Sequence, residues 1–168
     1  YENLHKALIM LGIYLIFPRV QKDKYEKLFD VKIKGLASTL DKPDERDLSS
    51  SVILIEPESV KSRKALGFDV LSDPARKRAA EQSLALNKTV ITQPINLFTD
   101  QLLSNSNKQA PLSFVMYVPF ETSEQVLKVA EGKPTTGVIF ASFKYQDLLD
   151  EIFGPASLDE EKWNFVLT

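Results

Sequence analysis

The stretch LGFDVLSDPARKRAA, residues 66–80, constrains this chain more than any other. An apolar lead-in ends on a lone acid, Asp69, and three residues later Ser72-Asp73-Pro74 opens a helix. Ser and Asp cap helix starts by accepting orphan backbone N–H bonds, and Pro suits the first helical position. Asp69 is therefore expected on a short, tightly held segment between two helical pieces. Its neighbours are Phe68 and Val70. An acid in apolar company is paired, protonated or waiting for a ligand.

Around that stretch the chain is of ordinary globular make-up. Its 168 residues are 43% hydrophobic and 26% charged, enough for one domain with a buried core. A net charge of −2 with no basic, aromatic-interleaved stripe argues against a nucleic-acid partner. There is no cysteine, hence no disulfide framework and no thiolate metal site. The one histidine, His5, lies far in sequence from the other polar candidates, and reads as a surface or core-edge residue. The six glycines are scattered and form no phosphate-binding loop. The longest apolar run, residues 7–17, is too short to span a bilayer and is interrupted by Gly12. No secretory signal pattern is present.

In chain order, Tyr1, Leu4, Ala7, Leu8 and Leu11 repeat at helical spacing, which predicts a helix to about Gly12. Residues 13–17 read as a buried strand ended by Pro18, and 22–29 as a short helix. Most of 32–51 reads as a surface loop. Residues 52–55 read as a central strand, 58–66 as a helix of two turns, and 74–86 as the capped helix, stopped in left-handed conformation at Asn87. That helix is expected to face inward with Ala75, Ala79, Leu84 and Leu86, and to leave Arg76, Lys77 and Arg78 solvated. Short strands follow at 89–92 and 95–99 around Pro94, then strands at 112–120 and 137–143 and an amphipathic helix at 145–153. Segment 100–111 reads as a polar loop, 122–131 as a helix or lobe, and 163–167 as a lone strand. Late strands joined by short turns are antiparallel neighbours. The sum is an α+β layer architecture, an antiparallel sheet covered by helices on one face, with room for a small-molecule cavity beneath them.

ALGFDVLSDPARKRAA, then VITQP, FVMYVPF and GVIFASFKYQDLL, with IFPRV and VILIEP upstream, resemble the CHASE domain over residues 11–153. CHASE domains are extracytoplasmic sensors of bacterial and plant membrane receptors, including histidine kinases and diguanylate cyclases. The resemblance implies a stalk helix, here ending at residues 1–12, followed by a PAS-like membrane-distal sheet at 13–153. Residues 154–168 would be a linker and the start of a truncated membrane-proximal part.

In plant cytokinin receptors of the family the distal sheet binds an adenine-type ligand. The aspartate that bonds the base matches Asp69, and a residue giving backbone contacts matches Ile91. Val52, Leu54, Phe68, Phe98, Phe114 and Met116 are the candidate apolar walls. Thr99 bonds either the ligand or its own turn. The sequence around GFD and SDPAR resembles bacterial members, so cytokinin does not follow.

The resemblance implies no cofactor. It implies a small-molecule ligand, a homodimer through the stalk, a membrane anchor in the full-length receptor, and a periplasmic or extracellular location. Three alternatives stay open from the residues alone. Asp69 either accepts a ligand or caps its own turn. Of Phe114 and Tyr117, which face opposite sides of one strand, one is inward. The domain senses a small molecule, or it is a protein-interaction module with a solid core; an enzyme pairing Glu56, Glu58 and Asp69 is the remote third reading.

Overall fold

The computed structural model describes residues 7–36, 46–97, 112–121 and 136–153. Its strands are β1 (Leu8–Pro18), β2 (Leu48–Glu56), β3 (Val90–Ile91), β4 (Ile95–Asn96), β5 (Leu112–Glu121) and β6 (Thr136–Lys144). Its helices are α1 (Lys22–Phe29), α2 (Pro74–Leu86) and α3 (Tyr145–Phe153). Three 3₁₀ turns, Arg19–Gln21, Ser62–Ala65 and Val70–Ser72, link them.

The strands form one sheet in the order β2-β1-β6-β5-β3, with β4 also paired to β5. Every described strand pairing is antiparallel, as expected for an α+β fold. The first strand is a middle strand: β1 pairs with β2 on one side and with β6 on the other. It begins at Leu8, so the expected helix to Gly12 is corrected; Ala7 is the last helical residue before it. Residues 8–12 are apolar at nearly every position. Such a run satisfies a strand as readily as a helix, and pairing decides it: β6 takes it from Leu8 and β2 from Leu11. Gly12 suits the close packing there, since a Cβ would strike the Phe140 ring and the Leu54 carbonyl.

The two sheet faces carry different cores. Met10, Tyr14, Ile16, Val52, Val115, Tyr117, Val138 and Phe140 point toward α2 and the 3₁₀ turns, where Phe68, Val70, Leu71, Ala79 and Ala80 meet them. Leu15 and Phe17 point the other way and pack with Tyr25 of α1 and with Ile33. Helical cover is therefore present on both faces, not on one.

The helix 74–86 has the bounds and stops read from the sequence. Asp73 caps it, Pro74 occupies its first turn, and Asn87 ends it at φ 47°. The region 58–66 is less helical than expected, with only the 3₁₀ turn Ser62–Ala65. The expected loop 32–51 gives up its last four residues to β2, in which Ser49, Ser50 and Ser51 are buried. The readings of 1–6, 98–111, 122–135 and 154–168, including the lone strand at 163–167, fall wholly or largely outside the described residues.

Candidate functional site

The site is built from the backbone outward at residues 67–69. Gly67 has φ 77°, and a Cβ there would collide with the Lys32 carbonyl, so only glycine fits. Its N–H bonds the Val52 carbonyl at 2.8 Å, and its carbonyl accepts from Lys34 at 2.9 Å. The Phe68 carbonyl accepts from Val52 at 3.2 Å, and the Asp69 N–H donates to Lys34 at 2.9 Å. The segment is thus stitched along the outer edge of β2, with Lys34 and Phe68 forming a parallel bridge.

Asp69 completes the stitching with its side chain. Its Oδ1 accepts from the Ser50 N–H at 3.0 Å, the Ser50 hydroxyl at 2.8 Å and the Leu71 N–H at 3.1 Å. Its Oδ2 accepts from the Arg46 guanidinium at 2.9 Å. The carboxylate is 3% exposed, so these bonds replace its hydration. One buried acid ties β2, the 3₁₀ turn Val70–Ser72 and the chain at residue 46 together.

One helical turn further on stands a second acid–arginine pair. Asp73 Oδ1 accepts from the N–H groups of Ala75 and Arg76, capping α2, and its Oδ2 accepts from the Arg76 guanidinium. Arg76 also donates to the Asn96 carbonyl at 2.9 Å, and its guanidinium carbon lies 5.5 Å from the Phe68 ring centre. Arg76 is 4% exposed, which corrects the expected solvated face. The inward side of α2 is Arg76, Ala79, Ala80 and Ser83, and Leu86 is exposed. A first-turn cation opposes the helix dipole, but it lies three residues beyond an N-cap aspartate and can fold back onto it. That spacing, Asp73 to Arg76, was the signal in the sequence.

Between these two locks and the sheet lies a partly open cavity of about 50 Å³. Met10, Val52, Val115, Tyr117, Phe140 and Ser142 wall it from the sheet, and Ala65, Phe68, Val70, Arg76 and Leu97 from the covering side. Its polar edge is Tyr117, Arg76 and Ser142. Burial drives the Tyr117 hydroxyl far above the usual tyrosine range; Arg76 pulls it back in part and Asp73 pushes it further up. Tyr14 stands edge-on to Tyr117 at 5.5 Å behind the wall.

The expected site residues divide accordingly. Val52 and Phe68 line the cavity. Asp69 does not; its carboxylate turns away to β2 and is fully engaged. Leu54 is 48% exposed, because β2 bulges where its pairing steps from Leu54 opposite Ile13 to Val52 opposite Tyr14, which puts the two on opposite faces. Ile91 is 56% exposed on the edge strand β3. Phe114 and Met116 are half-buried on the far face of β5, Phe114 stacked on Phe143, while Val115 and Tyr117 are the inward pair. Phe98 and Thr99 lie outside the described residues.

Arg76, Tyr117, Met10, Phe140 and Ser142 were not selected from the sequence as site residues. The carboxylates of the enzyme reading differ in surroundings: Glu56 is exposed, Glu58 is paired with Arg63 at 2.7 Å on the surface, and Asp69 is buried.

No helix among the described residues is long and apolar enough to cross a membrane. No curated protein matches the chain. The family model of the CHASE domain matches residues 9–167. With nearly its whole length matched, the chain belongs to the CHASE family, whose members are non-catalytic, extracytoplasmic sensor domains of receptors.

Proposed function

We propose that this domain is the small-molecule sensor of a transmembrane receptor, its sheet working in the PAS-like manner and its cavity receiving the ligand. The observation that carries this reading is the apolar hollow with a polar edge, closed on one side by Met10, Val52, Val115 and Phe140 and on the other by Phe68 and Val70. Apolar clefts with a few placed polar groups are the common form of ligand sites. A protein-interaction module needs no such hollow, so the cavity favours sensing.

In this reading Asp69 positions Phe68 and Val70 in the cavity wall. A ligand acceptor at Asp69 would first have to displace Ser50, Leu71 or Arg46. The ligand acts by preferring one of two arrangements of sheet and stalk, since equal affinity for both shifts nothing. The preference passes from the sheet into a dimeric stalk helix and on to an intracellular kinase or diguanylate cyclase in the full-length receptor.

The test is a metabolite library scored by melting temperature against wild type and Ala65→Leu, whose larger side chain fills the cavity. A ligand at 100 times its Kd stabilises by about 2.7 kcal/mol. Stabilisers that lose their effect in Ala65→Leu support the reading. A library whose hits stabilise both proteins equally refutes it.

A further inference from the structure

The cavity's dimensions, its hydrogen-bonding sense and its charge together define a ligand class, which rests on the sensing reading above. The size comes first. A buried water takes roughly 10–15 Å³ of such volume, so the space of about 50 Å³ holds roughly three to five water-sized atoms. A compact molecule of about four or five heavy atoms matches that space.

The polar edge offers donors next to a spent carboxylate. Both oxygens of Asp73 are spent, Oδ1 on two backbone N–H groups and Oδ2 on Arg76. The Ser142 hydroxyl leans on the Met10 carbonyl at 3.4 Å. Arg76 has committed two of its N–H donors, to Asp73 and to the Asn96 carbonyl. Tyr117, only 2% exposed, lines the cavity, and its ring stands edge-on to Tyr14. Among the described residues the enclosed tyrosine hydroxyl without a partner is that of Tyr14, behind the wall; the Tyr117 hydroxyl borders the cavity, where a partner can sit. The hydroxyl is kept protonated by its burial, so it can donate a hydrogen bond into the cavity.

The charge is already balanced. Arg76 faces one carboxylate, Asp73, at close range. A ligand carboxylate would leave a buried excess negative charge, which is disfavoured. An uncharged acceptor adds none.

We infer that the cavity takes a compact, uncharged molecule with an apolar body and a single carbonyl-type acceptor, and that the Tyr117 hydroxyl is the group that reads this acceptor. The apolar body lies against Val52, Phe68, Val115 and Phe140. Arg76 lies beside the acceptor with its charge balanced by Asp73.

The test uses 2-butanone, propionate and xenon as probes, followed by amide chemical shifts of the isotopically labelled protein. The expected result is saturable movement of the Val115, Tyr117 and Phe68 signals with 2-butanone, and none with propionate at equal concentration. Tyr117→Phe removes only the hydroxyl that borders the cavity, so it should fold normally and bind 2-butanone about fivefold more weakly, or about 1 kcal/mol. Ala65→Leu should abolish the shifts. Propionate binding as well as 2-butanone, unchanged affinity in Tyr117→Phe, or shifts that survive Ala65→Leu would each overturn the proposal. Xenon entering while 2-butanone is excluded overturns the ligand class alone and leaves the hollow as a sensing site. If no probe enters, the proposal is overturned, and the sensing reading stands or falls with the metabolite library above.

Discussion

The two faces of the sheet solve the same burial problem in opposite ways. On one face Leu15, Phe17, Tyr25 and Ile33 form a solid cluster, with the Phe17 and Tyr25 rings stacked at 3.8 Å and 9° between planes. These residues lie within a stretch of the chain shorter than twenty residues, so a short connection suffices to close them together. On the other face the lining comes from positions as distant as Met10 and Ser142, and a hollow remains. A hollow loses dispersion contacts and should tend to collapse. It persists here because its covering wall is pinned by backbone and carboxylate bonds at Gly67, Asp69 and Asp73, independently of how well the side chains fill the middle. Packing holds one face and directional bonds hold the other.

The largest effect that can break this contrast is a truncation on the solid face. Phe17→Ala should cost about 3–5 kcal/mol in denaturant unfolding, the usual range for a buried phenylalanine. Phe68→Ala should cost at least about 1 kcal/mol less, because its ring already borders empty space. Equal losses would mean the hollow is energetically filled.

Next comes the pin itself. Asp69→Ala strands the buried Ser50 N–H and removes the acceptor shared by the Ser50 hydroxyl, Leu71 and Arg46, and should destabilise by about 3 kcal/mol. A loss below about 1 kcal/mol would show that the wall stands without it.

Small-to-large changes probe the same difference more gently. Ala80→Leu, at a fully buried position of α2, should cost about 1–3 kcal/mol, whereas Ala65→Leu, into the cavity, should cost less than about 1 kcal/mol. A reversed order would place the free space elsewhere.

The smallest effect is a pH dependence on the solid side. Burial disfavours ionisation of Glu26, but the Ile33 N–H at 2.8 Å, with Lys32 and Lys22, outweighs it and holds the carboxyl below its ordinary value. A depressed carboxyl contributes stability above its unfolded pKa, about 4.3, and loses it as pH falls through the folded value. Acid titration of stability should therefore show a component below about pH 4 that Glu26→Gln removes. An unchanged profile would separate Glu26 from the cluster it borders.

What was legible in the sequence follows the same division. Local chemistry read well: Asp73, Pro74 and Asn87 bounded α2 because caps and stops are decided within a few residues. The strands at 112–120 and 137–143 declared themselves by composition. What failed depended on partners distant in sequence. Residues 8–12 are a strand because β6 pairs with them from Leu8 and β2 from Leu11. Arg76 is buried because Asp73, Asn96 and Phe68 surround it. Leu54 faces outward because of a bulge no alternation pattern reveals. The serines 49–51 read as loop because their purpose, for Ser50 at least, is to satisfy an acid nineteen positions away. Asp69 stands out in the sequence between Phe68 and Val70, and in the structure its carboxylate is bonded by Ser50, Leu71 and Arg46.

The position of β1 carries a mechanical consequence. A strand at the rim of a sheet peels off one bond at a time when its end is tugged. This one is held by β6 from Leu8 and by β2 as well from Leu11, so a pull or twist arriving ahead of Leu8 loads the β6 ladder in shear and then both. Met10 rides on that strand at the cavity wall, two positions into it. Force entering from the amino-terminal side thus reaches the hollow within two residues, and any change in the hollow has an equally short, stiff path back out.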